Sequence, residues 1–208
     1  GGPNGFGYNN QVSVLNQNVN SFLTYRNSFS DNFDLNATVG MQYQDGVSRF
    51  ARAEGRGFPN DRFQKLNSAA QITGASSSET AYAFTSYFAR VNTKLFNRFL
   101  VGLSGRMDGS SRFGEDNRFG FFPAVSAGYI LSNESFMENI SAINFLKLRA
   151  SYGRTGNAEI GNFASRTLWG ANFVGPLSGI VPTQIGDRAL TWENTAQLDI
   201  GLEFGIFN

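Results

Sequence analysis

FDLNATVGMQY (residues 33–43) alternates apolar and polar side chains without a break. The odd positions carry the apolar set: Phe33, Leu35, Ala37, Val39, Met41 and Tyr43. Successive side chains of a β-strand point to opposite faces, so this stretch predicts a strand with one apolar and one polar face. An alternation of about eleven residues is long for a strand of a soluble sheet, and it fits a tilted strand that crosses a bilayer.

The same alternation recurs along the chain and predicts an all-β, antiparallel protein of about seven strands. Two of the strands read less cleanly, the first one and the 121–131 strand, where Phe122 and Ile130 fall on the polar side. The predicted strands cover 18–29, 33–44, 81–95, 99–108, 121–131, 145–155 and 192–204.

The connections between these strands sort by length. Two are tight turns, at 30–32 and 96–98, two are long, at 45–80 and 156–191, and 109–120 and 132–144 are of medium length. Outer-membrane barrels have short periplasmic turns and long outer loops, so with the tight turns in the periplasm, 45–80, 109–120 and 156–191 are predicted to face outward. The 132–144 connection is longer than this pattern expects.

Aromatic residues on the apolar face gather near the two ends of the predicted strands. This is the two-girdle distribution of a barrel in lipid, and it predicts these rings to be lipid-facing. Those near the tight-turn end are Phe29, Phe33, Phe99, Tyr129 and Phe204; Tyr43, Phe121 and Tyr152 lie near the other end.

Composition excludes several other classes of protein. The chain has no His and no Cys, which removes Ser-His and Cys-His catalysis and most transition-metal sites. A net charge of +1 gives no reason to expect a nucleic-acid partner. No apolar run approaches the roughly 18 residues of a membrane helix, so a membrane-spanning form must be a closed barrel of strands. We predict no enzyme, cofactor or catalytic residue.

Two groups of side chains are candidate functional residues. The first is predicted to face the barrel lumen, although any wide hydrated barrel needs such a lining: Arg90, Asn92, Lys94, Arg106, Asp108, Lys147, Arg149, Asp199 and Glu203. The second consists of loop aromatics that would contact substrate or a lid protein, or else pack the loops: Phe50, Phe58, Phe63, Phe163, Trp169 and Phe173. Trp192, at the start of a strand, is expected to be an interface anchor.

The stretch DGSSRFGEDNRFG (108–120) offers a calcium site as a further alternative. Asp108, Glu115 and Asp116 supply the oxygen ligands that calcium prefers, but their spacing matches no EF-hand. The competing expectation is that Asp108 and Ser110 cap the turn while Arg112 pairs locally.

Several motifs resemble the SusC/RagA family of TonB-linked outer-membrane proteins. They occur in the family's order: SYFARVN (86–92), RMDGSSRFG (106–114), FFPAVSAGYILSNESFM (121–137), LKLRASYGRTGN (146–157) and LTWENTAQLDIGLEFGIF (190–207). The first half is similar more loosely, through FDLNATVGMQYQ and FPNDRFQKL. Tyr129 stands where the family often has Trp.

The resemblance implies part of a 22-stranded, plugged barrel in the outer membrane of a Gram-negative cell. It also implies import of oligosaccharides or peptides, energy from the TonB complex and a SusD-like lipoprotein lid. Seven strands cannot close a bacterial barrel, so we expect a piece of a larger chain without its plug, whose C-terminal GIFN begins a periplasmic turn. A passive porin-like channel and a soluble β-sandwich carbohydrate-binding module are the alternatives.

Overall fold

The computed structural model describes residues 5–138, 140, 142–174 and 177–206. These residues form an antiparallel sheet in the order β1-β2-β3-β4-β5-β6-β9 and a separate β7-β8 hairpin. The strands are β1 Gly5–Ser30, β2 Phe33–Phe58, β3 Gln71–Leu95, β4 Phe99–Ser110, β5 Phe119–Ile130, β6 Ile143–Asn157, β7 Leu168–Val174, β8 Leu177–Gln184 and β9 Glu193–Ile206. Short 3₁₀ helices cover Leu66–Ser68, Glu115–Asn117, Leu131–Asn133 and Ser135–Met137.

The predicted all-β antiparallel class is confirmed. None of the described helices has the length and apolar character that crossing a membrane requires. The predicted turn at the C-terminal GIFN includes residues 207 and 208, which lie outside the described residues.

Two compact units make up the chain, and the first contains the described residues up to Asn18 together with Gln44–Ala83. Here the prediction of a loop over 45–80 is wrong, since β2 continues to Phe58 and β3 begins at Gln71. Backbone pairing does not require an apolar face, so these polar segments extend the strands without the alternation that marks residues 33–43. Arg49 and Glu79 form an ion pair at 2.6 Å between β2 and β3.

The second unit contains Val19–Tyr43 and the described residues from Phe84 onward. Its sheet is a single layer whose apolar rows remain uncovered: Val39, Leu103 and Ile200 are 55%, 54% and 79% exposed. A β-sandwich buries such rows between two sheets. The soluble-sandwich alternative is therefore wrong for the described residues.

Strand bounds in the second unit differ from the predicted ones by a few residues, with one larger difference. The segment 156–191 is not a simple loop, because it contains the β7-β8 hairpin. The 111–118 connection carries only the Glu115–Asn117 helical turn.

The tight turn after β3 places two residues, Phe96 and Asn97, in the left-handed region, with φ of 51° and 56°. Asn tolerates this region, whereas a phenylalanine there costs about 1–2 kcal/mol. Hydrogen bonds to the preceding turn offset the cost: the Phe96 amide donates to the Asn32 carbonyl at 2.7 Å, and Asn97 Nδ2 donates to the Asp31 carbonyl at 3.0 Å. The two short turns therefore hold each other in place.

Candidate functional site

The nine residues predicted to face the lumen lie together on one face of the sheet in the second unit. Strand register fixes this, because Cα partners in an antiparallel pair point to the same side. One row joins Asn92, Gly102, Ser126, Ser151 and Asp199 across five strands. Neighbouring rows contain the other seven, all in register with this face: Arg90, Lys94, Arg106, Asp108, Lys147, Arg149 and Glu203.

This polar face lines a concave cavity of about 990 Å³. Seven strands contribute to its wall, and six of the lining side chains are charged: Arg26, Asp34, Lys94, Lys147, Arg149 and Asp199. Polar neighbours such as Asn36, Asn92 and Ser126 separate them. Such a wall can hold water and bind a polar solute.

Arg106 is the most connected residue of this face. Its Nε lies 2.6 Å from Asp108 Oδ1, and its Nη2 donates to Ser86 Oγ at 2.8 Å and Gln42 Oε1 at 3.1 Å. Its guanidinium also lies 5.9 Å from the Phe88 ring centroid. One side chain therefore links three neighbouring strands.

Other charges on the face form a second group. Glu203 pairs with Lys147 at 3.3 Å and with Arg149 at 3.1 Å. Arg90 and Lys94 have no ion-pair partner within the described part of the chain. The cations of β6 thus share a carboxylate from β9, whereas Arg90 and Lys94 of β3 have no such partner among the residues described.

The opposite face is apolar and carries the predicted lipid-facing aromatics. At the tight-turn end Phe29 stacks on Phe33 with centroids 5.3 Å apart, and Phe99 stacks on Tyr129 at 4.8 Å. Tyr43, Tyr152 and Phe204 are exposed large side chains. Tyr129 also donates its hydroxyl to Glu134 at 2.7 Å, a polar contact for the rim of an apolar band.

Glu134 follows β5 and joins two connections. Besides Tyr129, it pairs with Arg98 at 2.7 Å, and Asn133 Nδ2 donates to the Asn97 carbonyl at 2.6 Å. The hydrogen bond from Tyr129, followed by the one from Arg98, holds the pKa of Glu134 below its usual range. The carboxylate is thus a fixed charge of this turn.

A small buried cluster anchors the loops, and it was not predicted. Phe122 and Trp192 are buried with Phe113, whose ring centroid lies 5.0 Å from that of Trp192. The indole Nε1 donates to the Arg118 carbonyl at 3.0 Å. Trp192 is therefore a buried packing residue, and its expected role as an interface anchor is wrong. The sequence did contain a signal for this cluster: Phe122 falls on the polar face of β5, and a large apolar side chain there is expected to be buried by neighbouring residues.

Arg112 fixes the neighbouring loop onto this cluster. It donates to Asn162 Oδ1 and to the Ala158 carbonyl, both at 2.9 Å, and lies over the Phe84 ring at 5.5 Å. Two of its hydrogen-bond acceptors thus lie about fifty residues further along the chain, whereas Arg112 was expected to pair within its own loop. Ser110 does cap the turn, accepting the Arg112 amide at 3.3 Å.

The calcium alternative finds no support. Among the described residues, no group of three carboxylate, His or Cys side chains could hold a metal. Asp108 is paired with Arg106, and Glu115 reaches Arg118 at 3.8 Å.

The loop aromatics are dispersed. Phe50 and Phe58 belong to β2 rather than to a loop, and the Phe58 ring packs against Gly7, where a Cβ would come within 2.9 Å of it. Phe63 is exposed in the 59–70 connection, and Phe163 is half-buried. Trp169 and Phe173 are exposed on β7, opposite Pro182 and Ser178 of β8.

The base of the β7-β8 hairpin is held firmly. Gln184 Nε2 donates to the Phe163 carbonyl at 2.8 Å and to the Arg166 carbonyl at 2.9 Å. Residues 168–184 include no charged side chain. The hairpin therefore presents an uncharged, largely apolar surface on a fixed base.

A one-layer antiparallel sheet with an exposed apolar face, aromatic pairs at its rim and a charged concave face defines a segment of a membrane β-barrel. The family model described as TonB dependent receptor-like, beta-barrel matches residues 1–208. The chain belongs to this family.

Curated relatives and solved structures agree with this membership. The chain is 36% identical over 194 residues to "TonB-dependent receptor P39" of Formosa agariphila, covering 92% of this chain and 19% of the relative. It is 32% identical over 217 residues to "TonB-dependent receptor SusC" of Bacteroides thetaiotaomicron, covering 100% of this chain and 21% of the relative. The solved "Structure of the RagAB peptide transporter" superposes with a TM-score of 0.91 at 28% identity, over 97% of this chain and 23% of that one.

The predicted resemblance to SusC/RagA proteins is thereby confirmed. The chain spans about a fifth of the length of the relatives that it matches.

Proposed function

We propose that the chain forms part of the barrel of an outer-membrane importer that takes up oligosaccharides or peptides. The observation that carries the proposal is the two-faced sheet, with exposed apolar rows on one side and the nine charged and polar residues on the other. In a bilayer the first face contacts hydrocarbon and the second contacts water, so the segment is scaffold and lining rather than an enzyme.

Energy from the TonB complex and a SusD-like lipoprotein lid are parts of the same proposal. The TonB part is supported by the names of relatives that are called TonB-dependent receptors, and the lid rests on the resemblance to SusC/RagA proteins. Oligosaccharide and peptide remain alternative substrates: a solved relative is named a peptide transporter, and the oligosaccharide rests on the same resemblance.

Within this function, the exposed Trp169 and Phe173 are our candidates for contact with substrate or lid. Both rings lie on the uncharged hairpin whose base Gln184 fixes. Aromatic rings presented on a rigid base lose little entropy on binding, which favours their use as contact residues.

Uptake in a deletion strain tests the importer proposal against the passive channel. We expect strains with the complete receptor to accumulate a labelled oligosaccharide or peptide, and to lose this uptake when the TonB complex is removed. Uptake that persists without that complex would support a porin-like channel instead. The double substitution Trp169→Ala and Phe173→Ala should lower uptake while the barrel remains folded.

A further inference from the structure

The part of the β1-β2-β3 sheet that lies in the first unit has two chemically different faces. Contacts show that Phe6, Tyr8, Arg52 and Arg56 share one face, because Arg52 lies over the Tyr8 ring at 4.8 Å and Arg56 over the Phe6 ring at 5.9 Å. We call this the ring–arginine face. The other face carries the Arg49–Glu79 pair beside a depression lined by Gln11, Ser13 and Ser77.

Large side chains on the ring–arginine face are exposed. Phe6 and Tyr8 lie 6.2 Å apart by centroid, and both are more than half accessible, as is Val12 further along the same strand. A cation over an aromatic ring is ordered at little entropic cost, and the edge of the guanidinium keeps its N–H donors. The face thus combines fixed donors with apolar ring surface.

Its two arginines differ in their partners. Arg52 Nε lies 2.6 Å from Glu54 Oε1. Arg56 has no ion-pair partner among the residues that the structure describes. One positive charge on this face is therefore left without a carboxylate.

The adjoining 59–70 connection adds to this positive charge. It contains Arg62 and Lys65 against one acidic residue, Asp61. The Asn60 side chain and backbone accept from the Arg62 and Phe63 amides, which shapes this connection as a turn. The connection that follows β2 thus carries one more cation than acid.

We infer that the ring–arginine face is a binding site for a carboxylate-bearing ligand, with Arg56 as its anchor. Guanidinium groups match carboxylates in a bidentate geometry, and the neighbouring rings can pack on the C–H surface of the same ligand. A uronate-containing oligosaccharide and the free carboxyl terminus of a peptide present this shared chemistry. The inference rests on the importer proposal for its biological meaning, because it assigns the kind of substrate captured.

Equilibrium binding to the complete receptor in detergent tests this site. The sugar probe is tetragalacturonate with its methyl ester as the neutral match, and the peptide probe is acetyl-tetraalanine with its C-terminal amide. We expect Arg56→Gln to weaken binding of a carboxylate probe by about tenfold or more, since charge-assisted hydrogen bonds are lost. The matched control is Arg49→Gln, which removes the same charge from the other face.

Each outcome decides the inference. The inference is supported if one of the acids binds more tightly than its neutral match, and if this preference is lost in Arg56→Gln but kept in Arg49→Gln. The acid that binds then identifies a sugar or a peptide as the source of the carboxylate. Equal loss in the two variants, equal binding of acid and neutral match, or no saturable binding of either acid overturns it. Binding is measured without the TonB complex, so a negative result here leaves the uptake experiment unaffected, and failed TonB-dependent uptake leaves the binding measurement valid.

Discussion

Removing the Trp192 side chain should release the loops that it anchors. Trp192 is 7% exposed, and its indole packs on Phe113 at 5.0 Å and on Phe122 at 5.3 Å. Its Nε1 satisfies the Arg118 carbonyl. Truncating a buried tryptophan to alanine costs about 3–5 kcal/mol, and the lost hydrogen bond is included in that range.

This energy should appear as local opening rather than as loss of the barrel. The cluster joins the connections that precede β5 and β9 with the one that follows β6, while the strands keep their backbone pairing. Amide exchange in 111–118, 158–166 and 186–192 should therefore become faster by about 100- to 4,000-fold, because each 1.4 kcal/mol of lost opening free energy raises the exchange rate about tenfold. Hydrogen exchange read by mass spectrometry on the complete receptor measures this directly.

A second tryptophan provides the control. Trp169 is 64% exposed and lies on β7, so Trp169→Ala should leave exchange in those three segments within about twofold of the wild type. If Trp192→Ala changes exchange by less than about tenfold, or if both substitutions change it equally, then the cluster does not anchor the loops.

Two further predictions concern charged residues. Arg106→Ala should lower the free energy of unfolding by about 1–2 kcal/mol, because it leaves the largely buried Asp108 without its partner. The loss is no larger because Arg106 is partly exposed and solvent screens the ion pair. Thermal unfolding in detergent measures this loss, and an unchanged midpoint of unfolding would contradict the prediction. Because the pKa of Glu134 is lowered by Tyr129 and Arg98, its contribution to stability is fully present above the ordinary Glu value and is lost as pH falls through the lowered one. Glu134→Gln should remove this acid-side loss, and a pH profile of unfolding that is the same in the variant and the wild type would rule it out.

Much of the second unit could be predicted from sequence, and under the proposed function the reason is contact with lipid. Where one face of a strand contacts hydrocarbon, every second residue must be apolar, so the pattern at 33–43 fixes both strand and face. The same register brings Arg90, Lys147 and Glu203 to one side. Their shared face followed from period two alone, whereas the pairing of Lys147 with Glu203 needed the register between β6 and β9.

Prediction failed where the constraint from hydrocarbon ends. In the first unit β2 and β3 continue through polar residues, and nothing in that composition separates a hydrogen-bonded strand from a loop. Contacts between distant loops, such as Arg112 with Asn162, depend on where the chain returns and leave no local signal. The ring–arginine face was missed for the same reason, since Phe6 and Arg56 lie fifty residues apart and meet only through strand pairing.

The most direct test of this account is a spin-label scan along β4, residues 99–105, in the complete receptor reconstituted into liposomes. Single cysteines are introduced one at a time, since this chain has none of its own. Labels at Phe99, Val101 and Leu103 should collide mainly with oxygen, which dissolves in hydrocarbon. Labels at Leu100, Gly102 and Ser104 should collide mainly with a water-soluble nickel complex. Accessibility that does not alternate with period two would contradict the assignment of one face to lipid and the other to water.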